Sequence, residues 1–350
     1  MDLQPSIYTS QYPQGGNVKF QEQGQPVICQ FCGMQITDLT SRSCKDYISG
    51  DTFDLLSCKN CRCSFTRSNH PNRNKNYYGA DYYNSEAGKF SNLIEKVFRF
   101  NHIKNAKFLK NNFPAARLLE VGCGRGYLLR ELQKIGAEVY CLESTQAANW
   151  ILTNQDIKVI AIEEEDEGSW PFQSDFFQLI IYWHVLEHLP DPIESLKQAT
   201  RCLSPGGTLC ISVPNVTSLQ ARLSLVTWFH LDVPRHLFHF SQSGLISLLE
   251  DQGYQITRVK AGDRIQSLFG WMQSIANLFT PNSTNSFFRL LQGGKPLRSV
   301  NKRSLLLQIL TAWFWVPMGA LGFLLEEIIR NHGTITIFAQ KNPITGKTAR

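Results

Sequence analysis

Several things are scarce in this 350-residue chain. The first 25 residues hold no apolar run, so no secretory signal is expected there. Charge is not strongly biased: 35 Lys and Arg face 29 Asp and Glu, a net +6, which permits an anionic partner without demanding one. Hydrophobic residues make up 43% of the chain, ample for a core and too few for a polytopic membrane protein. Two long stretches, Ile265–Phe288 and Ser304–Leu325, contain no charged residue at all. The glycine-rich turn Gly122-Cys123-Gly124-Arg125-Gly126-Tyr127 also lacks something. A dinucleotide fingerprint needs a third glycine where Tyr127 stands, so a nicotinamide cofactor is not expected.

The ten cysteines are unevenly spread, with six between Cys29 and Cys63. Cys29-Gln30-Phe31-Cys32 and Cys58-Lys59-Asn60-Cys61 are two CxxC pairs, and four thiolates can close a tetrahedral zinc site. Residues 26–66 therefore read as a zinc-ribbon-like module with Cys29, Cys32, Cys58 and Cys61 as structural ligands. Cys63 is an alternative ligand and Cys44 a bystander. A unit that small cannot hold itself together by apolar burial alone. Free thiols beside CxxC pairs point to a reducing cytoplasm rather than to disulfides.

Residues 1–25 read as a disordered tail and 67–89 as a linker, ending in the aromatic run Tyr77–Tyr83. Apolar residues at three- and four-residue steps predict a helix over 90–109. Strands and helices then alternate. Strands are predicted at 118–121, 138–142, 157–162, 177–183, 207–213, 254–259 and 334–339. Helices are predicted at 127–135, 145–153, 193–202 and 242–252. This order implies an α/β fold, a doubly wound and mostly parallel seven-stranded sheet. Ligands of such sheets sit outside the carboxyl ends of the strands. That rim holds the glycine turn, Glu143 after the second strand, and Trp183-His184 after the fourth.

Glu120-x-Gly122-x-Gly124-x-Gly126 resembles motif I of the class I S-adenosylmethionine (SAM)-dependent methyltransferases. Trp183–Pro192, the Pro205-Gly206-Gly207 turn, Val213-Pro214-Asn215 and Asp232-Val233-Pro234-Arg235-His236 resemble the branch holding the ubiquinone-type O-methyltransferases. The resemblance covers about 90–260 and the final strand. It implies that Glu120, Gly122, Cys123, Gly124, Gly126, Glu143, Trp183 and His184 line the SAM site. Glu143 would hold the ribose diol, and one acid of 163–167 would approach adenine. It also places the last strand antiparallel to the rest, at the sheet edge between the neighbours of the fourth and sixth strands. Glu187 and His188 are read as caps of the helix that follows. His184 stands where ubiquinone-type relatives carry an acid, which weakens a magnesium site there. For a hydroxyl acceptor, His236 is the first choice as base or acceptor clamp and His184 the second.

The methyltransferase domain is thus expected at 90–263 and 333–342, interrupted by an apolar helical insertion at 264–332. That insertion is read as a hairpin in a membrane interface, with a soluble lid or a dimer interface as the alternatives. The expected function is methyl transfer from SAM to an oxygen of a small, glycan or lipid-linked acceptor, by a cytoplasmic protein with peripheral membrane contact. An rRNA methyltransferase and a sugar C-methyltransferase are the alternatives. Nucleic acid is disfavoured by the acidic run at 163–167. The acceptor's identity and the oligomeric state are left open.

Overall fold

The computed structural model describes residues 27–36, 40–68, 77, 92–114, 117–124, 126–144, 158–162, 169–291 and 301–342. The expected tail, the helix over 145–153, the acidic run at 163–167 and most of the 67–89 linker lie outside them.

A two-stranded hairpin and a three-stranded meander come first among the described residues. Strands β1 (Val27–Ile28) and β2 (Gln35–Ile36) are antiparallel partners. Strands β3 (Thr40–Lys45), β4 (Thr52–Ser57) and β5 (Ser64–Ser68) form an antiparallel meander. Helix α1 (Asn92–Asn112) follows and buries Ala106 and Leu109, while Val97 stays exposed.

The central sheet is built from β6 (Arg117–Val121), β7 (Glu138–Ser144), β8 (Lys158–Ile162), β9 (Phe177–Trp183), β10 (Leu203–Pro214), β12 (Tyr254–Ala261) and β13 (Thr334–Lys341). Their order is β12-β13-β10-β9-β6-β7-β8. The pairs β6–β7, β7–β8, β6–β9 and β9–β10 are parallel, as long crossover connections require. Four consecutive residues of β9, Leu179 to Tyr182, are fully buried, the signature of a strand covered on both faces. Helices α2 (Tyr127–Lys134) and α3 (Pro192–Cys202) supply those covers with Leu128, Leu129 and Leu132, and with Leu196 and Ala199.

Strand β13 is antiparallel to both β10 and β12, as the resemblance implies. It is not at the sheet edge, however. It is inserted between β10 and β12, and β12 forms the edge. Thr334–Ala339 are all buried, whereas β12 has exposed residues throughout its length, so the more apolar strand takes the interior place. The expected turn at 204–207 appears as a register shift between Leu203 and Thr208 within β10.

The cysteine-rich segment does not stand apart. Strand β11 (Phe238–His239), from the loop after β10, pairs antiparallel with β5 and completes a four-stranded sheet. Phe31, Phe65, Phe238 and Phe240 form one aromatic cluster with ring centroids 5.1–6.5 Å apart. Cys29, Cys58, Cys61 and Cys63 share an apolar core with Leu196, Leu245 and Ile337. Between β10 and β12 run α4 (Leu219–Ser224), two 3-10 turns (Leu225–Thr227 and Phe229–Leu231) and α5 (Gln242–Asp251). The insertion after β12 is helical: α6 (Arg264–Leu278), α7 (Ser286–Leu291), α8 (Lys302–Leu310) and α9 (Ala312–Ile329).

Candidate active site and cysteine centre

The glycine turn closes the carboxyl end of β6. Gly122, Gly124 and Gly126 all have positive φ (65°, 55° and 66°), a conformation an L side chain resists. A Cβ on Gly122 would also stand 2.6 Å from both methyls of Val185, so the turn and the loop after β9 close on each other there. The Gly124 N–H donates to Glu143 Oε2 at 2.7 Å, and a Cβ on Gly124 would meet nothing within 4 Å. The ribose-binding candidate and the glycine cradle are therefore neighbours. Gly126 begins α2, whose N-terminal amides favour negative charge.

Glu120 is buried beneath this turn, and its Oε2 accepts no hydrogen bond among the described residues. Burial, reinforced by the Glu143 charge, raises its pKa well above the usual carboxylate value. A buried acid with an open oxygen is suited to receive an ammonium group.

Cys123 corrects an expectation. Its sulfur is bonded to that of Cys141 on β7, with the Cα atoms 6.1 Å apart, so these two thiols are not free. The pairing follows from topology, because the turn after β6 lies beside the parallel strand β7. The Cys123 side chain packs with Leu128 and Leu129 of α2, leaving its backbone to the loop, where Cys123 O accepts from Gly126 N.

On the other side of the rim, Trp183 ends β9 with a buried indole N–H that has no partner among the described residues. His184 follows at φ 55°, anchored by its N–H to Ser212 O at 2.9 Å. Its Nδ1 lies 3.5 Å from Glu187 Oε1. Glu187 is buried, and neither of its oxygens accepts a hydrogen bond among the described residues. The cap of α3 is not Glu187 or His188. Asp191 caps it, accepting from Glu194 N at 2.9 Å, because it precedes the Pro192 that starts the helix. Glu187 and His188 instead turn inward, and their ligand atoms lie within 4.8 Å of His236 in a group that could hold a cation. A carboxylate and two imidazoles suit a transition metal better than magnesium.

His236 is buried, with Nδ1 2.8 Å from His230 O and its ring 4.5 Å from that of His188. Burial first, and the neighbouring His188 and His239 next, hold its pKa well below the ordinary imidazole value. Arg235 is fully buried and binds Asp46 Oδ1 of the cysteine-rich segment at 2.8 Å and Asp232 Oδ1 at 2.7 Å. Asp46 and His230 were not among the sequence candidates. A lone Asp after a strand and a lone His in an apolar run carry no local pattern that marks them.

The four predicted zinc ligands converge. Cys29 and Cys61 sulfurs are 3.6 Å apart, Cys32 and Cys58 sulfurs 3.8 Å, and all four lie within 4.8 Å of one another. Thiolates arranged tetrahedrally at about 2.3 Å from zinc have edges of about 3.8 Å, so the set fits the ion. The two knuckles repeat one hydrogen-bond pattern. Gly33 N donates to Cys29 O and Cys29 N to Met34 O, and likewise Arg62 N to Cys58 O and Cys58 N to Cys63 O. Cys63 points elsewhere, with its sulfur against Ser241, and Cys44 donates to Phe53 O.

Comparison with known proteins agrees with this geometry. A methyltransferase-domain family model matches residues 93–259. The ubiquinone biosynthesis O-methyltransferase of Xanthomonas campestris pv. campestris (strain B100) is 31% identical over 117 residues, covering 32% of this chain and 49% of the relative. The chain thus spans about half the length of that relative. The enzyme of the same name from Xanthomonas axonopodis pv. citri is 24% identical over 209 residues, covering 54% of this chain and 87% of the relative. A SAM-dependent methyltransferase structure from Archaeoglobus fulgidus aligns with a TM-score of 0.42 at 18% identity, covering 71% of this chain and 98% of that one. The glycine cradle, the strand order and this match together mark residues 93–259 as a SAM-dependent methyltransferase domain.

Proposed function

We propose that this protein transfers a methyl group from SAM to an oxygen of a small, glycan or lipid-linked acceptor, with a structural zinc in its cysteine centre. The observation that carries the reading is the cradle itself: three left-handed glycines, an amide of which is held by Glu143, above a buried and unsatisfied Glu120. The Glu143 carboxylate stands at the turn and has two acceptor oxygens, the number that suits a vicinal diol. Glu120 offers its open oxygen to the amino group of the methionyl part. SAM supplies an already activated methyl, so the protein's task is to align the acceptor and take its proton.

Two imidazoles face that task with different chemistry. His236 is kept neutral by burial and is a weak base, which suits it to clamp an acceptor or a cation beside His188 and Glu187. His184 Nδ1 lies 3.5 Å from the Glu187 carboxylate, which can orient the ring, and a positioned imidazole is suited to act as a general base. We therefore assign His184 the proton and His236 the acceptor, reversing the order that the sequence suggests.

Steady-state kinetics separate the two. His184→Gln should lower kcat by about 100-fold, the usual contribution of a general base, with SAM affinity by calorimetry nearly unchanged. His236→Gln should raise the acceptor KM more than it lowers kcat. Failure of the unmodified protein to bind SAM would reject the whole reading.

A further inference from the structure

The insertion leaves the sheet after Ala261 and returns at Thr334. Ala261 pairs with Ile335 across the β12–β13 ladder, so exit and entry lie side by side. Both are at the carboxyl end of the parallel strands, the rim that carries the glycine cradle. Helices α6 to α9 therefore rise from that same rim, with β10 and β9 between them and the cradle strand β6, and the chain comes and goes on one side.

The polarity of these helices is inverted. Their inward surface is mostly polar or small, with Trp271 and Trp315 as its large apolar members. Gln308 is buried, donating to Thr280 Oγ1 at 2.7 Å and accepting from Phe287 N at 2.9 Å. Glu326 is buried, accepting from Ser267 Oγ at 2.9 Å, from Gly333 N at 2.6 Å and from the Trp271 indole. Gly319 and Gly322 press on Met272 and Trp271 so closely that a Cβ would stand 2.7 and 2.5 Å from them. The outward surface is apolar: Leu310 is 63% exposed, Trp313 78%, Leu321 47% and Ile328 75%. Helix α4, which touches α6 and α9, adds exposed Leu223, and the 3-10 turn after it adds exposed Leu225.

A protein surface against water has the opposite arrangement. Polar groups satisfied internally, small residues where helices meet and apolar side chains outward are what hydrocarbon demands. The borders of the patch are cationic. Exposed Lys302 and Arg303 open α8 and exposed Arg330 follows α9, while the two acids of α9 are accounted for: Glu326 is buried and Glu327 pairs with Arg264 at 2.7 Å.

We propose that α8 and α9 seat this protein in one leaflet of an anionic bilayer, and that its acceptor is lipid-borne, entering the active site from the membrane side. The second clause rests on the methyltransferase reading. Its structural support is the wall shared by insertion and site. Ser274 of α6 accepts from Phe229 N, Asn277 donates to Thr227 O, and Gly270 abuts His230, whose carbonyl holds His236 Nδ1.

The test uses the full chain and two vesicle types, phosphatidylcholine alone and phosphatidylcholine with phosphatidylglycerol. Co-flotation with the anionic vesicles at low salt, weakened by salt and accompanied by a blue shift of tryptophan emission, is the expected result. The variant Trp313→Glu, Leu321→Glu, Ile328→Glu changes only outward positions. It should keep its circular dichroism and SAM affinity and lose vesicle affinity by at least about tenfold. Radiolabel from methyl-labelled SAM should then appear in the lipid phase of vesicles made from a total lipid extract, and less with the variant.

Wild-type protein that stays at the bottom of the gradient overturns the membrane assignment. So does a dimer in lipid-free buffer that the same three substitutions dissociate, which would assign the face to a second copy. Label found only in a water-soluble acceptor overturns the lipid-borne acceptor. Flotation without any SAM binding in calorimetry would sink the methyl-transfer reading and leave the membrane face standing.

Discussion

Glu120 is a buried carboxyl whose place beneath the glycine turn costs stability. Its folded-state pKa is raised well above that of an unfolded carboxyl, by burial and then by Glu143. Above the unfolded value the unfolded chain ionises while the native side chain stays protonated, so the native state binds more protons. Its contribution to stability therefore falls as pH rises toward the folded pKa. Glu120→Gln keeps the shape and removes that loss. It should raise Tm at pH 7.5 by a few degrees, about 1 kcal/mol's worth in a domain of this size, while weakening SAM binding by roughly tenfold. A variant that loses both stability and affinity would show that Glu120 holds the turn rather than the ligand. Nothing in the local sequence around Glu120 distinguishes those roles; its burial and open oxygen do.

Among the elements, the two CxxC knuckles also pack against the loop after β10. Phe31, inside the first CxxC, stacks on Phe65 and meets Phe238 and Phe240 from the catalytic side. Gly244 lies so close to the second knuckle that a Cβ would fall 2.4 Å from the Cys63 sulfur. Arg235 holds Asp46 and Asp232 in one buried ion cluster. The cysteine centre and the 228–241 loop thus share one buried contact surface, and destabilising one is expected to destabilise the other. Cys58→Ser should abolish zinc, measured by metal analysis, and lower the Tm of the methyltransferase domain itself rather than release an independent tail. Loss of a structural ligand set typically removes several kcal/mol. A domain that melts unchanged while the N-terminal segment becomes protease-sensitive would contradict this coupling.

At the scale of the molecule, three imidazoles are locked neutral in one region. Burial lowers His239 to about 3, burial and then the neighbouring His184 lower His230 to about 3, and His236 is also well below its usual value. Below about pH 6.5 the unfolded chain takes up protons there that the native chain refuses, so stability present at neutral pH is lost as pH falls. Each such group costs about 1.4 kcal/mol per pH unit in that window. Tm measured from pH 7.5 to pH 5 should drop steeply, and His239→Gln should flatten the slope while preserving the partner role to Thr66 Oγ1 at 2.9 Å. A slope identical to that of the parent protein would mean that the acid sensitivity arises elsewhere.

Local sequence carried the parts of this protein that depend on local geometry. Alternating strand and helix patterns, the left-handed glycines of 122–126 and two CxxC turns each declare themselves within a few residues, because backbone angles and ligand spacing are set at that range. The contacts that join the pieces span long separations and leave no such mark. The β5–β11 pairing, the Asp46–Arg235 ion pair across 189 residues and the Cys123–Cys141 bond exist because packed layers bring distant segments to one place. The insertion combines both. Its lack of charge was legible in the residues, but which side of its helices faces outward was decided by Gln308, Glu326, Gly319 and Gly322 finding partners inside, which leaves the apolar side chains no place but the exterior.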